Sequence, residues 1–277
     1  MNKKEILSWL QQYGLAPNKM YGQHFLFHEK YIEAIVTAIS PCSEDVILEI
    51  GPGLGVLTQR LSEHAKKVIA VEIDAGFVEV LQSRFANNSR VTIVHNDFLK
   101  TNPYDECTVL TGNLPYNIAS QIIFAAAHNF TAPHCFFLLQ KEMAQRLIAK
   151  PKSAMYSAFT VGIGLYFTVQ TLFDIPPQAF YPEPKVYSTF VKLTRKNSVM
   201  LHTDEKAVFE QLVATAFWAR RKMLKTALKR SPYTTYREAF ISQAFGQLGF
   251  DEKVRGEELT LDEFVALAKY CAHYGNK

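Results

Sequence analysis

From Asp45 onward the chain alternates short apolar runs with longer stretches of helical spacing. VILEI (46–50) precedes a segment running through Leu61, VIAVEID (68–74) one through Phe85, and VTIVHND (91–97) a turn. VLTGN (109–113) then leads into IASQIIFAAAHN, and FFLLQ (136–140) into KEMAQRLIAK. Strands that alternate with helices pair in parallel through right-handed crossovers, so the spacing predicts an open, doubly wound α/β sheet. The pattern changes after Lys150. Phe159 to Phe173 is strand-like in part, IPPQAFYPEPK (175–185) is a proline-rich loop, and YSTFVKLTR (187–195) is a last strand, which together predict an antiparallel edge on a mostly parallel sheet. Beyond Asn197 the periodicity is helical through DEKAVFEQLVATAFWARRKMLKTALKR, REAFISQAFGQLGF and LTLDEFVALAKYCAHYG. Residues 1–197 are therefore expected to form an α/β domain and residues 198–277 a small all-helical one, with no internal repeat.

Two uncharged stretches invite a membrane reading. Cys107 to Gln140 is broken by Asn113, Pro115, Asn117, Gln121, Asn129 and Pro133, and Ser153 to Phe173 is diluted by serines, threonines and Gln170. Strands buried on both faces of a parallel sheet have this character, so no membrane span is expected. A composition of 48% hydrophobic and 20% charged residues is that of a soluble globular protein, and a net charge of +4 permits a polyanionic partner without requiring one. Cys42, Cys107, Cys135 and Cys271 stand far apart, with neither a CxxC pair nor a Cys/His cluster, which predicts reduced thiols, a cytoplasmic protein and no metal. The N-terminus has Glu5, Gln11 and Gln12 where a signal peptide needs an apolar run.

Chemistry gathers at the predicted strand ends. EIGPGLG (49–55) follows the first strand, where Gly51, Gly53 and Gly55 permit a tight turn and close approach of a ligand to the backbone. Its spacing departs from GxGxxG, so alone it says little. Glu72 ends the second strand about twenty residues after the glycines, where a carboxylate can accept from both hydroxyls of a ribose. Asp97 ends the third, in place to meet an adenine amino group. The three strand ends outline an adenosine-shaped cleft that suits either NAD or S-adenosylmethionine.

NLPY (113–116), at the fourth strand end, separates the two. The lone pair of an exocyclic amine such as N6 of adenine is delocalised into its ring and attacks poorly. The Asn113 side-chain oxygen and the Leu114 carbonyl, in an extended turn held by Pro115, can accept from the amine protons and draw the nitrogen toward a tetrahedral shape. Tyr116 can stack on the base, an interaction worth about 1–3 kcal/mol. A dehydrogenase has no use for such a clamp.

The order of these motifs resembles the ribosomal RNA adenine dimethyltransferase family, closest to its bacterial branch acting on small-subunit rRNA. The resemblance runs from Tyr21 to Phe264 through YGQHFL (21–26), EIGPGLG, VIAVEID, ND (96–97), GNLPYNIAS (112–120), LLQKEMAQRL (138–147), PPQAFYPEPKVYS (176–188), ARRKMLKTAL (219–228) and RGEELTLDEF (255–264). It implies a Rossmann-like S-adenosylmethionine-dependent methyltransferase sheet, an N-terminal segment that covers the cofactor, and a C-terminal helical domain that meets RNA. His24 and Leu26 are then expected to touch the cofactor with Gly51, Gly53, Glu72, Asp97 and Asn113. Phe180 is expected to sandwich a flipped adenine against Tyr116. The implied activity is N6,N6-dimethylation of two adjacent adenines near the 3′ end of small-subunit rRNA during ribosome assembly, by a monomer. Relatives commonly carry Asn where this chain has His24, which points to a backbone contact there. They also commonly carry Tyr-Gly-x-Leu-Ser where it has Tyr156-Ser157-Ala158-Phe159-Thr160, a change that bears on packing or on an RNA-facing turn.

For RNA, Arg220, Arg221, Lys222, Lys225, Lys229 and Arg230 fall in a stretch without acids. At helical spacing Arg221, Lys225 and Lys229 share one face, suited to phosphates. A DNA adenine methyltransferase and a non-catalytic ribosome-assembly factor remain alternatives, since the clamp reads the base and not the sugar, and binding can outlive turnover.

Overall fold

The computed structural model describes residues 2–18, 22–197 and 201–275. Tyr21, where the resemblance begins, lies outside them. The chain divides into two compact units, one of Met1–Ala144 with Thr168–Arg195 and one of Gln145–Phe167 with Lys196–Lys277.

The first unit opens with α1 (Lys3–Gln12), capped at Asn2, then β1 (Phe25–Leu26) and α2 (Glu29–Ile39). Next come β2 (Val46–Ile50), α3 (Val56–Ser62), β3 (Lys67–Glu72), α4 (Ala75–Phe85), β4 (Val91–His95), β5 (Val109–Asn113), α5 (Ala119–Asn129), β6 (His134–Gln140) and α6 (Lys141–Leu147). The seven-stranded sheet has the order β4-β3-β2-β5-β6-β9-β7, where β7 is Phe167–Ile175 and β9 is Ser188–Arg195. β2 pairs in parallel with both β3 and β5, β3 with β4 and β5 with β6, while β9 runs antiparallel to β6. The strand order reverses between β2 and β5. Ligands of open α/β sheets bind outside the carboxyl ends of the strands at such a switch point.

β2 is buried at every position because helices cover both faces, which is why its sequence is a run rather than an alternation. A second, two-stranded sheet pairs β1 with β8 (Phe180–Tyr181), matching Leu26 with Phe180. Phe27 N–H donates to the Ala179 carbonyl (3.0 Å) beside it. Arg195, at the end of β9, donates to the carbonyls of Ala126, Ala127 and Phe130 at 2.6–3.1 Å and so satisfies the open end of α5.

The second unit holds α7 (Ala158–Tyr166), α8 (Thr203–Trp218), α9 (Leu224–Arg230), α10 (Glu238–Leu248) and α11 (Leu261–Tyr274). Its core includes Phe209, Leu212, Leu228, Phe245 and Phe264, with the Phe209 and Phe264 rings edge to face.

The expected antiparallel addition stands on the β6 side of the parallel strands, where β9 is followed by β7 as the edge strand. Two expectations need correction. Gln145–Phe167, expected within the first domain, packs in the second unit: Tyr156 hydroxyl donates to the Leu259 carbonyl (2.7 Å), and Lys152 N–H to that of Glu257 (2.9 Å). Finally, ARRKM is not helical. Residues 219–223 form a turn in which the Arg220 guanidinium pairs with Glu257 and donates to the Ser153 and Ala154 carbonyls (both 2.9 Å), so Arg221 leaves the face shared by Lys225 and Lys229.

Candidate active site

A cavity of about 370 Å³ lies at the switch point and is lined, among others, by His24, Leu26, Gly51, Gly53, Glu49, Glu72, Asp97, Thr111, Asn113 and Pro115. Its size falls within the roughly 300–1,000 Å³ of small-molecule sites. The ends of four parallel strands supply its polar groups, as the sequence spacing requires.

The glycine turn is shaped by its backbone. Gly51 has φ +64° with nothing within 4 Å of where a Cβ would stand, so the space over it is open to a ligand. Gly53 has φ +56°, and a Cβ there would come within 2.9 Å of the Phe25 ring. Left-handed backbone and this close approach both call for glycine.

Glu72 is 4% exposed. Its Oε1 accepts from the backbone N–H of Ile73 (2.9 Å) and Asp74 (3.0 Å), and its Oε2 from that of Gly53 (3.1 Å). A carboxylate offers about four acceptor directions, so one remains for a ligand where two ribose contacts were expected. Burial raises the Glu72 pKa against the pull of these N–H groups. Asp97 caps the 3₁₀ turn Phe98–Lys100 with Oδ1 on Leu99 N–H (3.0 Å), which leaves Oδ2 to meet a ligand.

Sequence reasoning missed Glu49. Its carboxyl lies 3% exposed on the cavity wall, where the Thr58 hydroxyl donates to Oε2 (2.6 Å). Burial pushes its pKa up to about 7, and nearby Glu72 adds to the rise. The glutamate was in view within EIGPGLG, but a strand buried on both faces gives no signal for which side chain meets a cavity. Thr111 was missed too. Its Oγ1 is buried on the same wall and is the one buried hydroxyl without a protein partner among the described residues.

Asn113 Nδ2 donates to the His24 carbonyl (2.7 Å), so its Oδ1 is the free acceptor end of the amide. His24 thus meets Asn113 through its backbone, not through its ring. The His24 ring stands against Tyr116 (centroids 5.5 Å, planes 26°) with Nδ1 2.6 Å from the Pro182 carbonyl, to which it must donate. Leu114 N–H donates to the Leu138 carbonyl (3.1 Å), and the Pro115 carbonyl accepts from Ile118 N–H (3.2 Å), fixing the direction of the Leu114 carbonyl between them. The Tyr116 hydroxyl is 3.2 Å from Ser188 Oγ.

Phe180 is 3% exposed and packed in the core with Ile47, Val109 and Phe190, and the ring stacked on Tyr116 here is that of His24. In the helical unit, Arg220 is spent on its internal contacts, Lys225 pairs with Glu252 beneath the Phe245 ring, and Lys229 pairs with Glu238 (2.6 Å). Arg221, Lys222 and Arg230 are exposed. The Ser157–Thr160 departure is used for packing: Ser157 caps α7 with Thr160, whose hydroxyl donates to the Arg146 carbonyl (2.6 Å). Among the described residues no His, Cys, Asp or Glu group is arranged to hold a metal, and no helix is long and apolar enough to cross a membrane.

The wall therefore offers carboxylates at three strand ends, an open glycine turn, an unpartnered hydroxyl and an aimed amide. A ligand with a ribose, an adenine amine and positive charge fits this donor and acceptor set. Comparison with known proteins gives the same direction. A profile of the ribosomal RNA adenine dimethylase family matches residues 14–273. The protein called ribosomal RNA small subunit methyltransferase A in Sulfurihydrogenibium sp. (strain YO3AOP1) is 35% identical over 260 residues, covering 91% of this chain and 95% of its own. Its namesake in Hahella chejuensis (strain KCTC 2396) is 36% identical, covering 93% of each. A crystal structure of a dimethyladenosine transferase from Plasmodium falciparum superposes with a TM-score of 0.81 at 26% identity, covering 91% of this chain and 98% of that one. The 23S rRNA methyltransferase ErmE shares the fold, with a TM-score of 0.68 over 89% of this chain and 98% of its own, at 23% identity. Match and geometry agree along almost the whole length: the chain belongs to the ribosomal RNA adenine dimethylase family.

Proposed function

We propose that this protein is an S-adenosylmethionine-dependent RNA methyltransferase that makes N6,N6-dimethyladenosine at two adjacent adenines near the 3′ end of small-subunit rRNA. It acts as a cytoplasmic monomer on the assembling subunit. The observation that carries the reading is the direction of the Asn113 amide at the end of β5, whose nitrogen is occupied by the His24 carbonyl and whose oxygen is free to accept.

The cofactor supplies the electrophilic methyl when bound. Glu72 and Asp97 hold its ribose and adenine, Gly51 and Gly53 let it lie against the backbone, and Glu49 adds negative charge to the wall. His24 and Leu26 close the cavity from the N-terminal segment. Asn113 Oδ1 and the Leu114 carbonyl accept from the protons of the adenine amine, which localises its lone pair and aims it into the cavity. Preorganised acceptors of this kind cost no reorganisation during the reaction. The same pair works for the second methylation with one N–H fewer. Tyr116 offers its ring to the base once the base has displaced His24 from it. A flipped base costs least to extract from an unpaired loop.

The test supplies purified protein with labelled S-adenosylmethionine and three substrates: unmethylated small subunits, bare small-subunit RNA and adenine-rich DNA. Nucleosides are resolved by mass spectrometry. Labelled N6,N6-dimethyladenosine from subunits or RNA is expected. Label in DNA alone moves the substrate to DNA, and cofactor binding without any label leaves a binding protein.

A further inference from the structure

Trp218 closes α8 with 53% of its surface exposed, and Met223, five residues on, is 45% exposed. A single exposed apolar side chain needs no explanation, but here two lie five residues apart in one short segment. The exposed Arg221 and Lys222 stand between the two, and no Asp or Glu occurs between Glu210 and Glu238.

The intervening turn is fixed. Arg220 ties it to the Ser153 and Ala154 carbonyls, Lys222 N–H donates to the Ala219 carbonyl (2.8 Å), and Leu224 N–H to that of Val254 (2.7 Å). Met223 bridges Arg255 in the manner of paired strands. Arg220 is thus the staple that presents its neighbours.

We propose that Trp218 is a stacking platform for one unpaired RNA base, with Arg221 and Lys222 holding the phosphates on either side of it. The inference rests on the reading of the protein as an RNA enzyme and adds a contact outside its reaction site. Aromatic rings interleaved with cations are the recognition chemistry of single-stranded nucleic acid, because every base has a π-face and every nucleotide a charge. A duplex has its faces already stacked and offers Trp218 nothing. Charge decides the occupant: an apolar protein surface would cover the ring but leave two cations beside it without partners.

In a Trp9→Phe background Trp218 is the sole tryptophan, since the chain has two. A short oligoadenylate should quench its fluorescence at low salt, and the same strand in a duplex should not. Trp218→Ala should weaken oligoadenylate binding by about 5- to 150-fold, the range of one base stack. Trp218→Phe should recover most of that loss, and cofactor affinity and melting temperature should stay at the wild-type value in both. Arg221→Gln should lower the slope of log affinity against log salt by about one. Unchanged oligoadenylate affinity in Trp218→Ala, or equal quenching by duplex, overturns the platform. So does a loss confined to intact small subunits, which would assign the ring to a ribosomal protein. Wild-type protein that binds neither RNA nor subunits refutes the functional reading itself. Wild-type binding with an indifferent Trp218→Ala refutes only this inference.

Discussion

Glu49 allows the sharpest test of the site because its ionisation is set by the fold. A carboxyl whose pKa rises from 4.5 to about 7 on folding costs stability in its charged form. At about 1.4 kcal/mol per unit, the shift corresponds to about 3 kcal/mol. Below the unfolded pKa both states hold the proton and nothing is lost. As pH rises from about 4.5 to 7 the unfolded chain ionises while the folded one resists, so stability falls across that window and the full penalty stands above it. Glu49→Gln keeps a carbonyl for the Thr58 hydroxyl and cannot ionise. The variant should therefore gain on the wild type by about 3 kcal/mol between pH 4.5 and pH 8, a relative shift in melting temperature of roughly 5–10 °C for a chain of this size. Glu72 and Arg84, whose charges act on Glu49, are present in both proteins, so the comparison reads the Glu49 carboxyl together with its coupling to them, while any pH-independent cost of the amide cancels.

Scanning calorimetry of both proteins from pH 4.5 to 8.5 reads this difference directly. A gap between the two melting curves that does not change with pH would refute the argument, whatever its size. The same group should report on the cofactor. A cationic ligand favours the ionised carboxylate and lowers its pKa, so binding near pH 7 should release a fraction of a proton, visible as a calorimetric heat that depends on the buffer. The demethylated product has no sulfonium charge and should release less.

Asn113→Ala should lower turnover by about 100-fold or more, on the scale of removing one preorganised hydrogen-bonding group, while cofactor affinity by equilibrium dialysis stays within several-fold. Wild-type turnover in that variant would end the assigned role. Gly53→Ala forces a side chain into left-handed backbone and against Phe25, and urea unfolding should show a loss of about 1–2 kcal/mol together with weaker cofactor binding. Removing the Arg195 guanidinium by Arg195→Ala leaves carbonyls at the end of α5 without their donor, and the same assay should show a loss of about 3 kcal/mol.

The parallel strands were legible because burial on both faces writes them as unbroken apolar runs, and the strand ends then put Gly51, Glu72, Asp97 and Asn113 on one wall. What stayed hidden depends on contacts far away in sequence. Within VILEI every position is buried, so nothing marks Glu49 as the side chain that meets the cavity. The basic segment has helical periodicity throughout, yet Arg220 finds Glu257 and the 153–154 carbonyls, and the helix breaks. Phe180 sits in a loop rich in proline, where an aromatic ring looks available for recognition. Pairing with Leu26 instead carries it into the core.

That pairing joins two parts of the site that sequence treats separately. The N-terminal segment is held at four points: its Phe25–Leu26 ladder to Phe180–Tyr181, Phe27 N–H on the Ala179 carbonyl, the His24 ring on the Pro182 carbonyl, and the His24 carbonyl on the Asn113 amide. The last of these falls on Asn113 itself. On the proposed reading Asn113 does two things with one planar group: its nitrogen holds the segment that walls the cavity, and its oxygen is left to accept from an amine. An amide is the side chain suited to this, because it carries a donor and an acceptor in fixed opposition. A carboxylate would face the His24 carbonyl with like charge, and a hydroxyl could not span both. On that reading the choice of asparagine at the end of β5 follows from the cover as much as from the chemistry.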